Sequence, residues 1–106
     1  MNHHNVYVVL LDDAVAKKVK VMAANPKRDP KKPCVYVGIT GLTPEERFKK
    51  HKEGYKSSKY VRDYGIKLLP KLYETYNPMS YDDAVLTEEL LADKLRAEGY
   101  TVLGGH

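Results

Sequence analysis

Arg47 and His51 stand four residues apart in the segment TPEERFKKH, residues 43–51. On a helix that spacing puts both side chains on one face. Arginine grips a phosphate through two parallel donors, and histidine donates to one or relays a proton near neutral pH. Together they can hold one phosphodiester, although Lys49, Lys50 and Lys52 surround them and a solvated basic face is the commoner meaning of such a pair alone. Glu88 is the second anomaly. Ala84, Glu88, Leu91 and Leu95 recur on one helical stripe, with Val85 and Ala92 beside it. A carboxylate on an apolar stripe must be neutralised by a basic partner, a proton or a metal ion. The alternatives are a structural ion pair, or a tilt that wets Glu88 and packs Leu86 and Leu90 instead. Tyr7 and Tyr36 each sit inside a β-branched run, and adjacent pairing of those runs would bring their hydroxyls together. Unassisted, such tyrosines are more often core than catalyst. With Arg47, His51 and Glu88 they complete an inventory of proton acceptor, phosphate clamp and metal ligand, which is what phosphodiester hydrolysis needs.

Other chemistry-bearing residues carry less. His3 and His4 read as a solvated tail, and Glu89 points about 100° away from Glu88 as a surface charge. Cys34 has nothing local in sequence to lower its pKa and reads as a small residue opening a strand.

Positioning five such side chains requires a sheet and helices. Residues 5–11 (NVYVVLL) and 34–40 (CVYVGIT) are β-branched and aromatic and read as strands. Between them, Val15, Val19 and Met22 are spaced for one short amphipathic helix over 14–24, followed by a Pro/Lys loop over 25–33. The next helix has the clearest start in the chain: Thr43 as N-cap, Pro44 at the first helical position and Glu46 completing a capping box, with a stop near Gly54. A further helical piece fits Ser58 to Tyr64. Leu68 to Tyr76 reads as a third strand, with Pro70 placing it at an edge or at a bulge. Ser80 starts the last helix, which runs to about Ala97 and stops at Gly99, and Thr101 to Leu103 add a short extended tail. The expected fold is α/β, a small three-stranded antiparallel sheet flanked by helices.

The chain's 106 residues suit one domain, 1–106, with a basic insert at about 14–33. Its longest apolar run, Val6 to Leu11, is too short to span a bilayer, and the N-terminus lacks signal-peptide features. One cysteine permits no internal disulfide, so a soluble, intracellular (cytoplasmic) protein is expected. Charge is uneven: residues 1–59 carry 13 Lys/Arg against 6 Asp/Glu, and residues 60–106 carry 5 against 8. Such a basic half favours a polyanion over a neutral partner, though lysines that merely keep a small domain soluble account for composition equally well.

At this point the chain resembles the GIY-YIG nuclease family. Asn5-Val6-Tyr7 stands where the first tripeptide of that family falls, and Tyr36-Val37-Gly38 where the second falls. Ile39 to Thr43 followed by Arg47 and His51 is similar to its strand, turn and helix, and Ala84 to Glu88 to the segment with its metal-binding glutamate. The likeness runs over nearly the whole chain. It implies a metal-dependent endonuclease hydrolysing phosphodiester bonds in DNA, branched or damaged DNA included, with Glu88 binding Mg²⁺ or Mn²⁺ and Arg47 neutralising the scissile phosphate. Tyr7 or Tyr36 would take a proton from the attacking water, with the other tyrosine and His51 positioning phosphate or water. A tyrosine serves as that base only if cations lower its pKa, which the lysine-rich surroundings suggest. Specificity would come from a homodimer or a partner protein. Three departures are visible: Asn5 replaces the first glycine, 28 residues separate Tyr7 from Tyr36, and no Asn follows position 77, which leaves His106 as a loose substitute. The long connection suggests a basic element that tracks a nucleic-acid backbone. Two rival readings are a catalytically inactive nucleic-acid-binding domain of the same fold, and a module whose basic insert binds an acidic protein.

Overall fold

Strand propensity in the two VYV runs is realised over their full predicted lengths. Strand β1 spans Asn5–Leu11 and β2 spans Cys34–Thr40, paired antiparallel with Tyr7 opposite Gly38 and Val9 opposite Tyr36. Side chains alternate across a strand, so Tyr7, Val9, Tyr36 and Gly38 share one face of the sheet. The computed structural model describes residues 2–105; His106, the suggested stand-in for a late polar residue, lies outside them.

Two more strands complete the sheet in the order β3-β1-β2-β4. Strand β3, Gly65–Leu68, pairs antiparallel with β1 through a register shift between Leu10 and Leu11. Strand β4, Thr101–Gly104, pairs parallel with β2. The sheet therefore has four strands and is mixed, not three and antiparallel. Two causes account for the difference. Pro70 has no N–H for a ladder, so of the expected strand over 68–76 only Leu68 is strand; β3 lies earlier, at Gly65–Leu68, and Pro70–Leu72 and Glu74–Tyr76 form 3₁₀ turns. The extended tail is a strand because Thr101 to Gly104 find an open β2 edge.

The rest of segment 69–79 still serves β1. Leu69 N–H donates to Val8 O, and His4 and Met79 form a two-way backbone bridge. Asn77 accepts from Val6 N–H through Oδ1 and donates to Val6 O through Nδ2, both at 2.8 Å. A side-chain amide thus replaces a strand along this edge. His4, held by Met79 and edge-on to the Tyr81 ring, is no loose tail.

Helices cover both faces. Helix α2, Pro44–Glu53, starts at the Thr43 capping box and ends at Gly54 in the left-handed region, as its sequence predicts; such a cap is worth about 1 kcal/mol. Helices α2 and α3, Lys59–Tyr64, pack on β1 and β3, and α4, Tyr81–Ala97, packs on β1, β2 and β4. On α4 the stripe Ala84, Leu91, Ala92 and Leu95 is buried, while Leu86 and Leu90 are 55% and 59% exposed. Leu86 and Leu90 therefore do not pack in place of that stripe, and Glu88 is half-buried.

The insert departs from its predicted single helix. Residues Asp13–Lys17 form a 3₁₀ turn and Val19–Ala24 the short helix α1, with Lys18 extended between them. That break destroys the Val15, Val19, Met22 stripe, and Val19 is 81% exposed. Buried Asn25 instead binds the outer edge of β4: Oδ1 accepts from Val102 N–H at 2.8 Å, and Nδ2 donates to the Val21 and Val102 carbonyls. Asp29 N–H donates to Gly99 O. An unprotected strand edge invites pairing with another chain; the insert covers this one. No helix among the described residues is long and apolar enough to cross a membrane.

Candidate active site

Four of the five predicted residues meet on the α2 face of the sheet. Tyr7 Oη and His51 Nε2 are 2.8 Å apart, and both residues are almost fully buried, at 2% and 1% exposed. The Tyr36 ring completes a cluster, its centroid 6.3 Å from that of Tyr7 and 5.9 Å from that of His51. The β1–β2 register creates this arrangement by placing Gly38 opposite Tyr7. A Cβ at position 38 would lie 2.6 Å from Tyr7 Oη and 3.0 Å from the Tyr36 ring. Only a glycine leaves the Tyr7 phenol room to lie across β2.

The ring of His51 has one defined proton arrangement. Ser58 N–H donates to Nδ1 at 3.0 Å, so a neutral imidazole carries its hydrogen on Nε2 and donates it to Tyr7 Oη. Burial, and after it the Arg47 guanidinium, depress the His51 pKa to about 4. At neutral pH His51 is an uncharged donor, and the Tyr7 oxygen is an acceptor whose own proton points elsewhere.

Arg47 is half-buried one turn before His51 and is fixed by the loop that follows α2. One terminal nitrogen donates to Tyr55 O at 3.2 Å and the other to Lys56 O at 2.6 Å. Gly54 and Lys56, at φ 86° and 43°, turn the backbone so that these carbonyls face the helix and Ser58 N–H reaches the imidazole. A guanidinium held this way needs no rearrangement to meet an anion.

Both phenols are pushed above the usual tyrosine range. For Tyr7 the causes are burial first, then Tyr36 and Glu88, opposed by Arg47; for Tyr36 they are burial and then Glu88, opposed by Arg47 and the Ser58 hydroxyl. The lysines expected to lower these pKa values act elsewhere. Lys52 donates to the Arg62 and Gly65 carbonyls, and Lys50 lies over the Tyr55 ring. Glu88 belongs to the same electrostatic unit, since its charge acts on both phenols. Among the described residues no group of three or more His, Cys, Asp or Glu side chains is placed to hold a metal ion.

Sequence reasoning missed the backbone of this site. The Tyr55 and Lys56 carbonyls and the Ser58 amide carry no residue-type signature, and Gly54 announced only the end of a helix. Gly104 and Gly105 were passed over too. Their φ angles are +75° and +73°, and a Cβ would strike Val37 O at one and Ala92 Cβ at the other. This pair lets β4 end between Tyr36 and the Glu88 turn of α4. Asn5, in place of the resembled glycine, donates through Nδ2 to Leu42 O at 2.8 Å and ties β1 to the turn before α2. Cys34 is buried, and burial chiefly raises its pKa, in keeping with a packing role. Comparison with protein-family models, with curated proteins and with solved structures gives no match to this chain.

Proposed function

We propose that the protein is a metal-dependent endonuclease hydrolysing phosphodiester bonds in DNA, as its resemblance to the GIY-YIG nucleases implies. One observation carries the reading: a buried Tyr7–His51 hydrogen bond of fixed tautomer lies beside an arginine anchored by two carbonyls and within the field of a half-buried glutamate. A structural tyrosine needs none of these neighbours.

Arg47 takes the scissile phosphate with the donors its carbonyl anchors leave available. His51 keeps Tyr7 oriented and, being neutral, adds no charge that would oppose Arg47. Tyr7 and Tyr36 are protonated at rest, so they first position the water and phosphate by hydrogen bonding. Tyr7 becomes a base only when its raised pKa is reversed; the phenolate then lies between the His51 N–H and the Arg47 guanidinium, which both stabilise it. Glu88 is a single carboxylate, a donor set that suits Mg²⁺ or Mn²⁺ retaining waters and taking phosphate oxygens rather than a metal enclosed by protein ligands. Such a cation, when bound, supplies polarisation of the phosphoryl oxygen and cancels the Glu88 charge, which adds to the larger effect of burial on both phenols.

The upward shift of both phenols favours one rival, a nucleic-acid-binding domain of the same fold without turnover. Cleavage of supercoiled plasmid and of a branched duplex with Mg²⁺ or Mn²⁺ separates the two. Activity is expected to require metal, to stop in EDTA, and to fall at least about 10²-fold in Glu88→Gln while that variant still binds DNA. Absence of cleavage under either metal, with salt-dependent binding unchanged by the substitution, leaves the binding domain.

A further inference from the structure

The loop that anchors Arg47 and His51 also carries an exposed aromatic ring set among cations. Tyr55 is 55% exposed, and the ammonium groups of Lys50 and Lys56 lie 5.0 and 5.6 Å from its ring centroid. The other well-exposed tyrosines, Tyr76 and Tyr81, lie in an acidic stretch with Glu74, Asp82 and Asp83. Of these three, Tyr55 is the one with ammonium groups against its ring. Its own carbonyl accepts from Arg47, so ring and phosphate-binding guanidinium are joined by a single residue's backbone.

The Lys50 and Lys56 ammonium groups lie over this exposed ring, and single-stranded nucleic acid offers both a base to take their place on the π face and phosphates on either side to receive them. A continuous duplex hides its base faces, so the ring finds a partner only where a base is unstacked. We propose that Tyr55 stacks an unpaired base next to the phosphate held by Arg47, with Lys50 and Lys56 on the flanking phosphates; the substrate class is DNA containing unpaired nucleotides. The position of that phosphate rests on the nuclease reading above. A purely local cation–π role at the end of α2 predicts an effect on stability alone, with no preference among DNA forms.

The test uses the 106-residue chain in EDTA and fluorescence anisotropy with three labelled DNAs of one sequence: a perfect duplex, the same duplex with an unpaired flap, and the single strand. Tyr55→Ala is expected to weaken binding of the flap and the single strand at least about fivefold and duplex binding by less than about twofold. Tyr55→Phe, which keeps the ring, should bind like the wild type. Lys50→Gln with Lys56→Gln should flatten the salt dependence by about two phosphate contacts on every DNA. Thermal melts confirm that each variant folds. Equal loss on all three DNAs, or no loss, overturns the stacking site. Normal metal-dependent cleavage of the flap by Tyr55→Ala with unchanged affinity overturns it while sparing the nuclease reading. Tyr55-dependent flap binding without cleavage under any metal supports the stacking site and removes the nuclease; wild-type protein that binds no DNA at low salt removes both.

Discussion

Acidification should destabilise this protein through one imidazole before its carboxylates respond. His51 is buried neutral, with a pKa brought down from 6.5 to about 4. Protonation would set a second N–H donor against Ser58 N–H and place a positive charge beside Arg47. Between pH 6.5 and 4 the unfolded chain binds this proton and the folded chain does not, so stability falls as pH falls. The contribution is complete above about pH 6.5 and lost by about pH 4. At about 1.4 kcal/mol for each tenfold change in proton affinity, the loss reaches at most about 3 kcal/mol, a large share of the roughly 5–15 kcal/mol that holds a domain together. The assay is urea unfolding followed by circular dichroism from pH 8 to pH 4, on the wild type and on His51→Gln. Glutamine offers Tyr7 a neutral N–H and does not titrate. The wild type is expected to lose about 3 kcal/mol more than the variant over that range. Glu46 and Asp63, whose pKa values are lowered by the Thr43 cap and by Arg62, lose their contributions at lower pH in both proteins and cancel in the difference. Identical pH dependence of the two proteins would refute a buried, neutral His51.

Three further outcomes follow from contacts elsewhere. Gly38→Ala is expected to push the Tyr7 phenol off His51, because the new Cβ falls 2.6–2.7 Å from Oη and Cζ; about 1–3 kcal/mol of stability and about 10²-fold in cleavage should be lost, and wild-type values for both in thermal melts and plasmid assays would contradict it. Asn25→Ala leaves buried groups of Val21 and Val102 without their partner and should cost roughly 2–3 kcal/mol in urea unfolding, against no change if the insert merely rests on β4. Tyr73→Phe removes a hydroxyl that is buried without a partner among the described residues and whose pKa burial pushes up to about 12; stability should stay level or rise by up to about 1 kcal/mol, and a clear loss would reveal a bond to that oxygen.

What the sequence determined alone was local. The VYV runs mark β1 and β2 because β-branched residues suit a pleat, and Thr43, Glu46 and Gly54 bound α2 because capping is settled within a few residues. The α4 stripe likewise follows from periodicity, which is why Glu88 could be singled out. Those same patterns place Arg47 and His51 on one helix face and Tyr7 and Tyr36 in adjoining strands.

The pairing partners were not local. A four-residue tail becomes a strand only because β2 offers a free edge, and Asn77 acts as a strand substitute only because Val6 lies across from it. Burial likewise belongs to the folded chain as a whole. Nearby lysines in sequence suggested lowered tyrosine pKa values, whereas desolvation raised them once those lysines turned to the Arg62 and Gly65 carbonyls and to the Tyr55 ring. The hydrogen on His51 Nε2 was decided last, by a backbone amide at Ser58. Every residue but proline carries that amide, so only the folded chain could say which one reaches the imidazole.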